Sequence, residues 1–501
     1  MQVVWFKRDL RVVDHEALAE SARQGPVLPL YVLEPELWKQ ADLSSRHYHF
    51  LCDSLRALNK SLTGLGQALI IKVGDAVEIL RDIHARHNIQ CLWSHQETWN
   101  GWTYERDKRV QKWARENAVP WHEPTQHGVI RRLKNRDGWS VRWNQKMKQP
   151  IHSSPSHLQP VNEQSDSLPS ASELGLKNND CLTPQAGGRS EGLNLLQSFL
   201  EERGEGYARE MSSPLTAIDS CSRLSAHLAF GTLSLREVYQ ATEARRLLVK
   251  QWPRDSRGSW LGSFRSFSGR LRWRCHFMQK LEDEPCIEFE NLHPAYDGLR
   301  ENEFNDAYFK AWQSGKTGYP MVDACMRALT ATGWLNFRMR AMLMSFATYH
   351  LWLHWRIPAL HLATLFTDYE PGIHYSQVQM QSATTGMNTV RIYNPIKQGM
   401  DHDPQGIFIR QWVPELREVD ATCIHTPWKA SIKIKDYPLP LVDENTSRKE
   451  AAARIYALRK GGDHREIASQ IVQKHGSRKS GLARNSGRKS RHPTTQPLLA
   501  L

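Results

Sequence analysis

The chain has 501 residues and a formal net charge of +13, from 66 Lys and Arg against 53 Asp and Glu, and 40% of its residues are hydrophobic. No apolar run approaches the ~20 residues of a membrane span, and the N-terminal MQVVWFKRDLR has no basic region followed by a long apolar stretch, so we expect a cytoplasmic protein. Its eight cysteines form no C-x-x-C pair, which argues against a disulfide framework and against a metal site.

Short apolar runs alternate with amphipathic stretches at the start of the chain. The runs predicted to be strands are QVVWF (2–6), VLPLYVL (27–33), ALIIKV (68–73), CLWSHQ (91–96) and VPWHE (119–123), with helical segments such as 46–62 and 75–87 between them. This alternation predicts an α/β domain over residues 1–130, with a doubly wound, Rossmann-like parallel sheet. Neither G-x-G-x-x-G nor G-x-x-x-x-G-K-[ST] is present, so nucleotide binding by those motifs is unsupported.

The rest of the chain divides by composition. Residues 131–195 are predicted to be a linker, because the part after 151 is rich in Ser, Pro and Asn. Residues 196–465 have helical periodicity and form a predicted all-α domain. Residues 466–501 are predicted to be a disordered basic tail, which either is merely solvated or contacts nucleic acid.

Two features of the helical region suggest a ligand. Residues 366–416 are long, polar and aperiodic yet carry interleaved aromatic and aliphatic residues, so we predict a structureless loop that holds something in place. A helix predicted from about 321 to 355 carries Arg338 and Arg340, about 200° apart around the axis. Its apolar surroundings demand an anion for a buried guanidinium, and Asp368 and Glu370 are the candidates.

Four stretches of the sequence carry a family resemblance. They are VVWFKRDLRVVDHEAL (3–18), SRLSAHLAFGTLSLREVY (222–239), GKTGYPMVDACMRALTATGWLNFRMR (315–340) and RIYNPIKQGMDHDPQGIFIRQWVPEL (391–416). Together they resemble the photolyase/cryptochrome flavoproteins, and the resemblance spans essentially the whole chain. More specifically, the sequence resembles a divergent, bacterial-type DNA photolyase.

The resemblance implies an FAD cofactor folded within the helical domain, with the 366–416 segment around its isoalloxazine ring. The implied phosphate contacts are Tyr207, Ser222, Arg223, Leu224, Ser225 and Arg274, and the residues beside the ring are Arg340, Asp368 and Glu370. A cation at the ring favours the anionic reduced flavin that donates the electron in repair. An antenna chromophore, either a folate or a deazaflavin, is implied for the N-terminal domain.

The resemblance also implies a surface for UV-damaged DNA. Trp273, Arg338 and Gln398 match DNA-facing positions, and the implied catalytic residues are Arg270, Trp273, Arg338 and His374. Trp273 would stack on a flipped-out pyrimidine dimer. We expect no membrane partner, and we expect the protein to be a monomer.

Several positions depart from the family pattern. Arg270 stands where photolyases for cyclobutane dimers have Glu, Phe337 where they have Asn, and His374 where an Asn faces the flavin. Of the three-tryptophan relay that photoreduces the flavin, only Trp355 is matched, and Ser376 or Val378 occupies the inner position. We therefore predict Trp355 and Tyr375 as electron-transfer residues, with Trp352 as a further possible member.

Three functions follow from these observations. The first is a light-driven lyase that splits cyclobutane pyrimidine dimers by electron transfer from photoexcited reduced FAD. The second is a cryptochrome-type photoreceptor without repair activity, which the altered relay and Arg270 keep open. The third, a DNA-binding flavoprotein without photochemistry, has no specific residue behind it. The preference for single- or double-stranded DNA and the handling of (6-4) photoproducts stay open.

Overall fold

The first domain is built on a five-stranded parallel sheet. The computed structural model describes residues 1–177, 181–430 and 434–477. The strands are β1 Gln2–Phe6, β2 Val27–Leu33, β3 Ile70–Val73, β4 Cys91–Trp93 and β5 Trp121–His122, in the spatial order β3-β2-β1-β4-β5. The two longest, β1 and β2, are buried along their whole length, which is the burial of strands covered on both faces. The predicted doubly wound α/β domain is confirmed.

Five helices accompany this sheet. They are α1 Glu16–Ala22, α2 Pro35–Trp38, α3 Ser45–Thr63, α4 Ala76–His87 and α5 Gly101–Glu116. Helix α4 shows why the sequence signals were readable: Asp75 caps its first turn by accepting the backbone N–H groups of Val77 and Glu78, and Asn88 ends it in a left-handed conformation.

The remainder is helical, as predicted. Its helices are α6 Trp139–Lys148, α7 Arg189–Ser198, α8 Tyr207–Glu210, α9 Ala217–Ser220, α10 Ser225–Ala229, α11 Leu235–Gln251, α12 Trp260–Asp283, α13 Asp306–Gln313, α14 Pro320–Thr332, α15 Phe337–Ser345, α16 Arg356–Leu365, α17 Pro371–Gln381, α18 Pro395–His402, α19 Ile407–Trp412, α20 Glu444–Leu458 and α21 Gly462–His475. Within the described residues, no helix is both long and apolar enough to cross a membrane.

The structure differs from the predicted linker and tail at their edges. Within 131–195, α6 packs Trp139, Trp143 and Met147 into the core of the helical domain, because their four-residue spacing places them on one helix face. Within 466–501, α21 continues to His475, which is 1% exposed. The rest of the predicted tail, from 478, lies outside the described residues.

The predicted loop over 366–416 is wrong: three helices, α17 to α19, lie within it. Pro371 and Pro395 occupy the first position of α17 and α18, where proline favours helix initiation. Helix α17 has no visible periodicity because it is buried on most sides. The predicted long helix from 321 to 355 is also wrong, since Gly333 ends α14 with φ of 71° and leaves Trp334 in the turn before α15.

Helix α3 of the sheet domain fixes the chain that leads into α17. The Ser44 hydroxyl donates to the carbonyl oxygen of Thr364 at 2.7 Å, and Arg46 donates to that of Leu365 at 2.6 Å. His47 Nε2 lies 2.8 Å from the carbonyl oxygen of Phe366. The segment that carries Asp368 and Glu370 is therefore held from the other domain.

Candidate functional site

A cavity of about 310 Å³ lies in the helical domain, and most of the predicted site residues line it. Its walls come from the segment before α10, from α12, from α15 with the preceding turn, and from the chain between α16 and the end of α17. The predicted residues that line it are Tyr207, Ser222, Arg223, Ser225, Arg270, Trp273, Arg274, Arg340, Asp368, Glu370 and His374.

Arg340 and Asp368 form a bidentate ion pair in the cavity wall. Arg340 Nη1 donates to Asp368 Oδ1 at 2.9 Å, and Nη2 donates to Oδ2 at 2.8 Å. Arg340 Nε also donates to the carbonyl oxygen of Leu335 at 2.6 Å. Burial alone would raise the pKa of the Asp368 carboxyl, but Arg340 more than offsets this and the pKa is lowered overall. The wall therefore contains a cation held in place by an ionised carboxylate.

The segment from 221 to 225 offers a positive charge without a matching hydrogen bond. Arg223 has φ of 59°, and its guanidinium lies 4.3 Å from the centroid of the Trp334 ring. Burial lowers the pKa of Arg223 to about 10, and its Nε has no hydrogen-bond partner among the described residues. An anionic group would satisfy this guanidinium. Leu224 is buried in the core and does not line the cavity.

Arg274 is paired with Glu370. Its Nη2 donates to Glu370 Oε2 at 2.8 Å and to the carbonyl oxygen of Leu228 at 3.0 Å. Burial raises the pKa of Glu370, whose Oε1 has no hydrogen-bond partner in the part of the chain that the structure describes. The resemblance implied that Arg274 contacts a phosphate; here a carboxylate occupies its Nη2.

His374 is a neutral imidazole in the cavity wall. Its Nε2 lies 2.9 Å from the carbonyl oxygen of Ala359, so this nitrogen carries the proton and donates it. Burial lowers the pKa of His374 to about 4. The other ring nitrogen, Nδ1, is therefore an acceptor at neutral pH.

Arg270 and Trp273 lie nearly one turn apart on α12 and both face the cavity. The Trp273 ring stacks on Phe277, with centroids 5.5 Å apart. Arg270 Nη2 lies 3.5 Å from the Met211 sulfur, and burial lowers the pKa of Arg270. The cavity thus has one wall made of a flat aromatic surface and a guanidinium next to a thioether.

Besides Leu224, four predicted site residues do not line the cavity: Arg338, Gln398, Trp355 and Tyr375. Arg338 Nε and Gln398 Oε1 are buried without a hydrogen-bond partner among the described residues. Trp355 and Tyr375 lie behind the cavity, with ring centroids 6.3 Å apart. Their proposed roles stay predictions.

Sequence reasoning missed several polar residues that face the cavity. Asn336 Oδ1 and both amide atoms of Gln377 are buried without partners within the described residues. Gln377 reaches the cavity because His374, Gln377, Val378 and Gln381 lie on one face of α17, but no periodicity in the sequence marks this face, since the other faces are buried as well. Unsatisfied donors and acceptors among aromatic and aliphatic walls, beside the unpaired charge of Arg223, fit a heteroaromatic ring system joined to an anion, as in FAD.

An antenna chromophore does not fit at the carboxyl edge of the sheet, where such folds bind ligands. Two cavities there measure only about 30 and 40 Å³. The space is filled by buried ion pairs, in which Arg106 donates to Glu34 at 2.8 Å and Lys7 to Asp107 at 3.0 Å. A surface groove of about 710 Å³ beside Trp38 has the room that this edge lacks.

Asp9, His15 and His95 form a buried cluster that resembles a metal-ligand set. His15 Nδ1 accepts the backbone N–H of Leu18 at 3.0 Å, so the proton of this ring is on Nε2, which lies 3.0 Å from Asp9 Oδ2. His95 Nδ1 lies 2.7 Å from the same oxygen. The Asp9 carboxylate thus accepts the His95 Nδ1–H group and lies within ion-pair distance of His15 Nε2. A metal on His15 Nε2 would require the ring proton on Nδ1 and so would break the cap of α1.

Comparison with known proteins matches both domains to one family. A model described as "DNA photolyase" matches residues 2–142, and one described as "FAD binding domain of DNA photolyase" matches residues 267–457. The deoxyribodipyrimidine photo-lyase of Halobacterium salinarum is 30% identical over 92% of this chain and 99% of its own length. Cryptochrome-2 of Arabidopsis thaliana is 30% identical over 91% of this chain and 79% of its own length.

Solved structures of photolyases also resemble this chain over most of its length. A bacterial class III photolyase from Agrobacterium tumefaciens superposes with a TM-score of 0.79 at 26% identity, covering 92% of this chain and 98% of that one. An archaeal photolyase from Sulfolobus tokodaii, described with two FAD molecules, gives a TM-score of 0.75 at 26% identity, covering 91% of this chain and 100% of that one.

Proposed function

The chain belongs to the DNA photolyase/cryptochrome family of flavoproteins, and we propose that it is a light-dependent repair enzyme that splits cyclobutane pyrimidine dimers in UV-damaged DNA. The family's FAD-binding domain is present. When bound and reduced, FAD supplies an electron upon absorbing blue light. The contributions of this chain are to hold that cofactor, to admit the lesion and to stabilise negative charge.

The observation that carries the proposal is the wall formed by Arg270 and Trp273. Both line the same cavity as Arg340 and Asp368, so the lesion-side and cofactor-side residues share one chamber. Trp273 offers a flat surface on which an extruded base can stack, worth ~1–3 kcal/mol in other nucleic-acid sites. Arg270 offers positive charge next to that surface.

The electrostatics of the chamber favour a reaction in which negative charge moves. Arg340 is fixed by Asp368 and by the Leu335 carbonyl, so its charge needs no reorganisation when a neighbouring group becomes more negative. On the other wall Arg270, partly desolvated beside the Met211 sulfur, would stabilise charge developing on pyrimidine carbonyls. His374 is neutral and offers only a hydrogen-bond acceptor there.

DNA contact outside the chamber is assigned to Arg338 and Gln398. Each has a buried polar atom without a partner in the described residues, and Arg338 lies on α15, the helix that also presents Arg340. A phosphate would satisfy the Arg338 Nε–H donor, and an amino group on a base edge would satisfy the Gln398 Oε1 acceptor.

A second candidate is a cryptochrome-type photoreceptor without repair. It is favoured by the replacement of the inner relay tryptophan by Ser376 or Val378, of which Val378 lines the cavity, and of the dimer-contacting Glu by Arg270. Curated relatives include cryptochromes as well as photolyases. Repair activity separates the two candidates.

The test uses the full chain with its FAD reduced and a duplex oligonucleotide that contains one thymine dimer. We expect blue light to restore the two thymines, with no restoration in the dark. A (6-4) photoproduct of the same sequence is the matched substrate control. Absence of restoration by a protein that binds the lesion and holds reduced FAD would favour the photoreceptor.

A further inference from the structure

Tyr369 connects the cavity to a buried carboxylate of the other domain. Its side chain lines the cavity and is 3% exposed. Its hydroxyl donates to Asp42 Oδ2 at 2.7 Å. Asp42 precedes α3 of the sheet domain and is itself buried, so the hydrogen bond crosses the interface between the domains.

Asp42 is held as an acceptor. Asn100 Nδ2 donates to the same carboxylate oxygen at 3.3 Å. No Lys or Arg lies within ion-pair distance of Asp42 among the described residues, although Arg8 contributes at longer range. Burial raises the pKa of Asp42 above that of an exposed aspartate. The Tyr369 hydroxyl therefore has beside it a carboxylate that is more basic than usual.

Two tryptophans outside the cavity lining, Trp99 and Trp352, are less suited to lose an electron. The Trp99 ring lies 5.8 Å from Tyr369, but the Arg8 guanidinium is 3.7 Å from its centroid. Trp352, which the sequence suggested for the relay, has Arg300 and Arg454 at 4.5 and 4.8 Å from its ring. A cation attracted to a neutral ring repels the same ring once it is oxidised.

Trp355 lacks a proton acceptor of comparable basicity. It lies beyond Tyr375, whose ring centroid is 6.5 Å from that of Tyr369 and 6.3 Å from that of Trp355. Its indole N–H donates to the neutral amide oxygen of Asn291 at 2.8 Å. In the row Tyr369, Tyr375, Trp355, the ring next to the cavity is the one bonded to a carboxylate.

We propose that Tyr369, with Asp42 as its proton acceptor, donates an electron to the photoexcited oxidised flavin and so replaces the missing inner tryptophan. One electron passes from the Tyr369 phenol to the flavin. The O–H bond of Tyr369 breaks, and its proton moves along the 2.7 Å hydrogen bond to Asp42 Oδ2. The products on this chain are a neutral tyrosyl radical and a protonated carboxyl.

The proton transfer lengthens the lifetime of the charge-separated state. The electron can return only as the proton returns from Asp42, which slows the back reaction. An external thiol can then return one electron to the tyrosyl radical as Asp42 returns its proton, and the proton of the oxidised thiol goes to solvent. A second such cycle supplies the second electron that full reduction of the cofactor needs. This preparation of the reduced cofactor is separate from repair and needs no DNA.

The experiment illuminates the oxidised holoprotein and identifies the radical by electron paramagnetic resonance. We expect a tyrosyl signal in the wild type, its loss in Tyr369→Phe, and slower radical formation in D2O than in H2O. Asp42→Asn keeps the size of the side chain but removes the basic oxygen, and it should lower the photoreduction rate roughly 10²- to 10⁴-fold. FAD content and the visible spectrum of each variant, measured in the dark, show whether the site is intact.

Two matched controls accompany these variants. Tyr319 is another buried tyrosine, whose hydroxyl donates to the Val442 carbonyl, and Tyr319→Phe should leave photoreduction unchanged. Trp252→Phe, at a partly buried tryptophan outside the cavity lining, should also leave it unchanged. A tryptophan radical without a solvent isotope effect in the wild type would overturn the proposal, and this measurement needs no variant to fold. Unchanged photoreduction in an Asp42→Asn protein with full FAD content would overturn it as well.

Discussion

Replacing Asp368 by Asn tests how the cavity holds its cofactor. The substitution keeps the shape of the side chain but removes the negative charge that accepts two hydrogen bonds from Arg340 at 2.8 and 2.9 Å. Breaking a buried ion pair by removing one partner costs about 3–5 kcal/mol, because the other charge stays buried. The Arg340 side chain is 24% exposed and keeps its bond to the Leu335 carbonyl, so we expect the lower end, ~3 kcal/mol.

The assay is the ratio of FAD to protein after purification, together with the free energy of unfolding from denaturant titration. We expect both to fall in Asp368→Asn. Glu116→Gln is the matched control, because Glu116 pairs with Lys112 only at 3.9 Å and both side chains are exposed. It should change the free energy of unfolding by less than ~0.5 kcal/mol. Full FAD retention with wild-type stability in Asp368→Asn would refute the reasoning.

Three further outcomes are expected. Trp273→Ala should weaken binding to dimer-containing DNA by ~1–3 kcal/mol in titrations, whereas Arg270→Ala should lower repair per absorbed photon at saturating DNA; a change in affinity alone would assign Arg270 to a phosphate. Deleting 478–501, which removes six basic residues, should weaken binding to damaged and undamaged DNA by similar factors and flatten the salt dependence; a loss confined to damaged DNA would contradict this. Burial lowers the pKa of His227 and His374 to about 4, so between pH 4 and 6.5 the unfolded chain binds more protons than the folded chain. The free energy of unfolding, measured by denaturant titration, should therefore reach its full value above pH 6.5 and fall by about 3 kcal/mol per histidine towards pH 4. A flat profile would show that these histidines are solvated.

The sequence predicted what depends on local patterns. The strands of the sheet follow from apolar runs, and α4 from the cap at Asp75. The need of a buried guanidinium for an anion made Asp368 and Glu370 candidate partners of Arg338 and Arg340, and the structure pairs Arg340 with Asp368. The prediction of a structureless loop over 366–416 was wrong because it relied on the same local patterns. Helix α17 is buried on most sides, and a helix in that environment shows no amphipathic period.

The contacts between distant segments could not be predicted in this way. Tyr369 and Asp42 are separated by 327 positions, and nothing in either local sequence indicates the other. The pairing of Arg274 with Glu370, 96 positions apart, likewise depends on how α12 packs against α17. Unsatisfied atoms such as Gln377 Oε1 become visible only when burial is known.

The most direct test of repair is the yield of restored thymines per absorbed photon, measured on one dimer-containing duplex at wavelengths across the flavin absorption band. We predict a light-dependent yield that follows the absorption of the reduced cofactor, is zero in the dark, and at subsaturating DNA falls in Trp273→Ala because that variant binds the lesion more weakly. No restored thymines from wild-type protein that holds stoichiometric reduced FAD and binds the lesion would contradict the assignment as a repair enzyme.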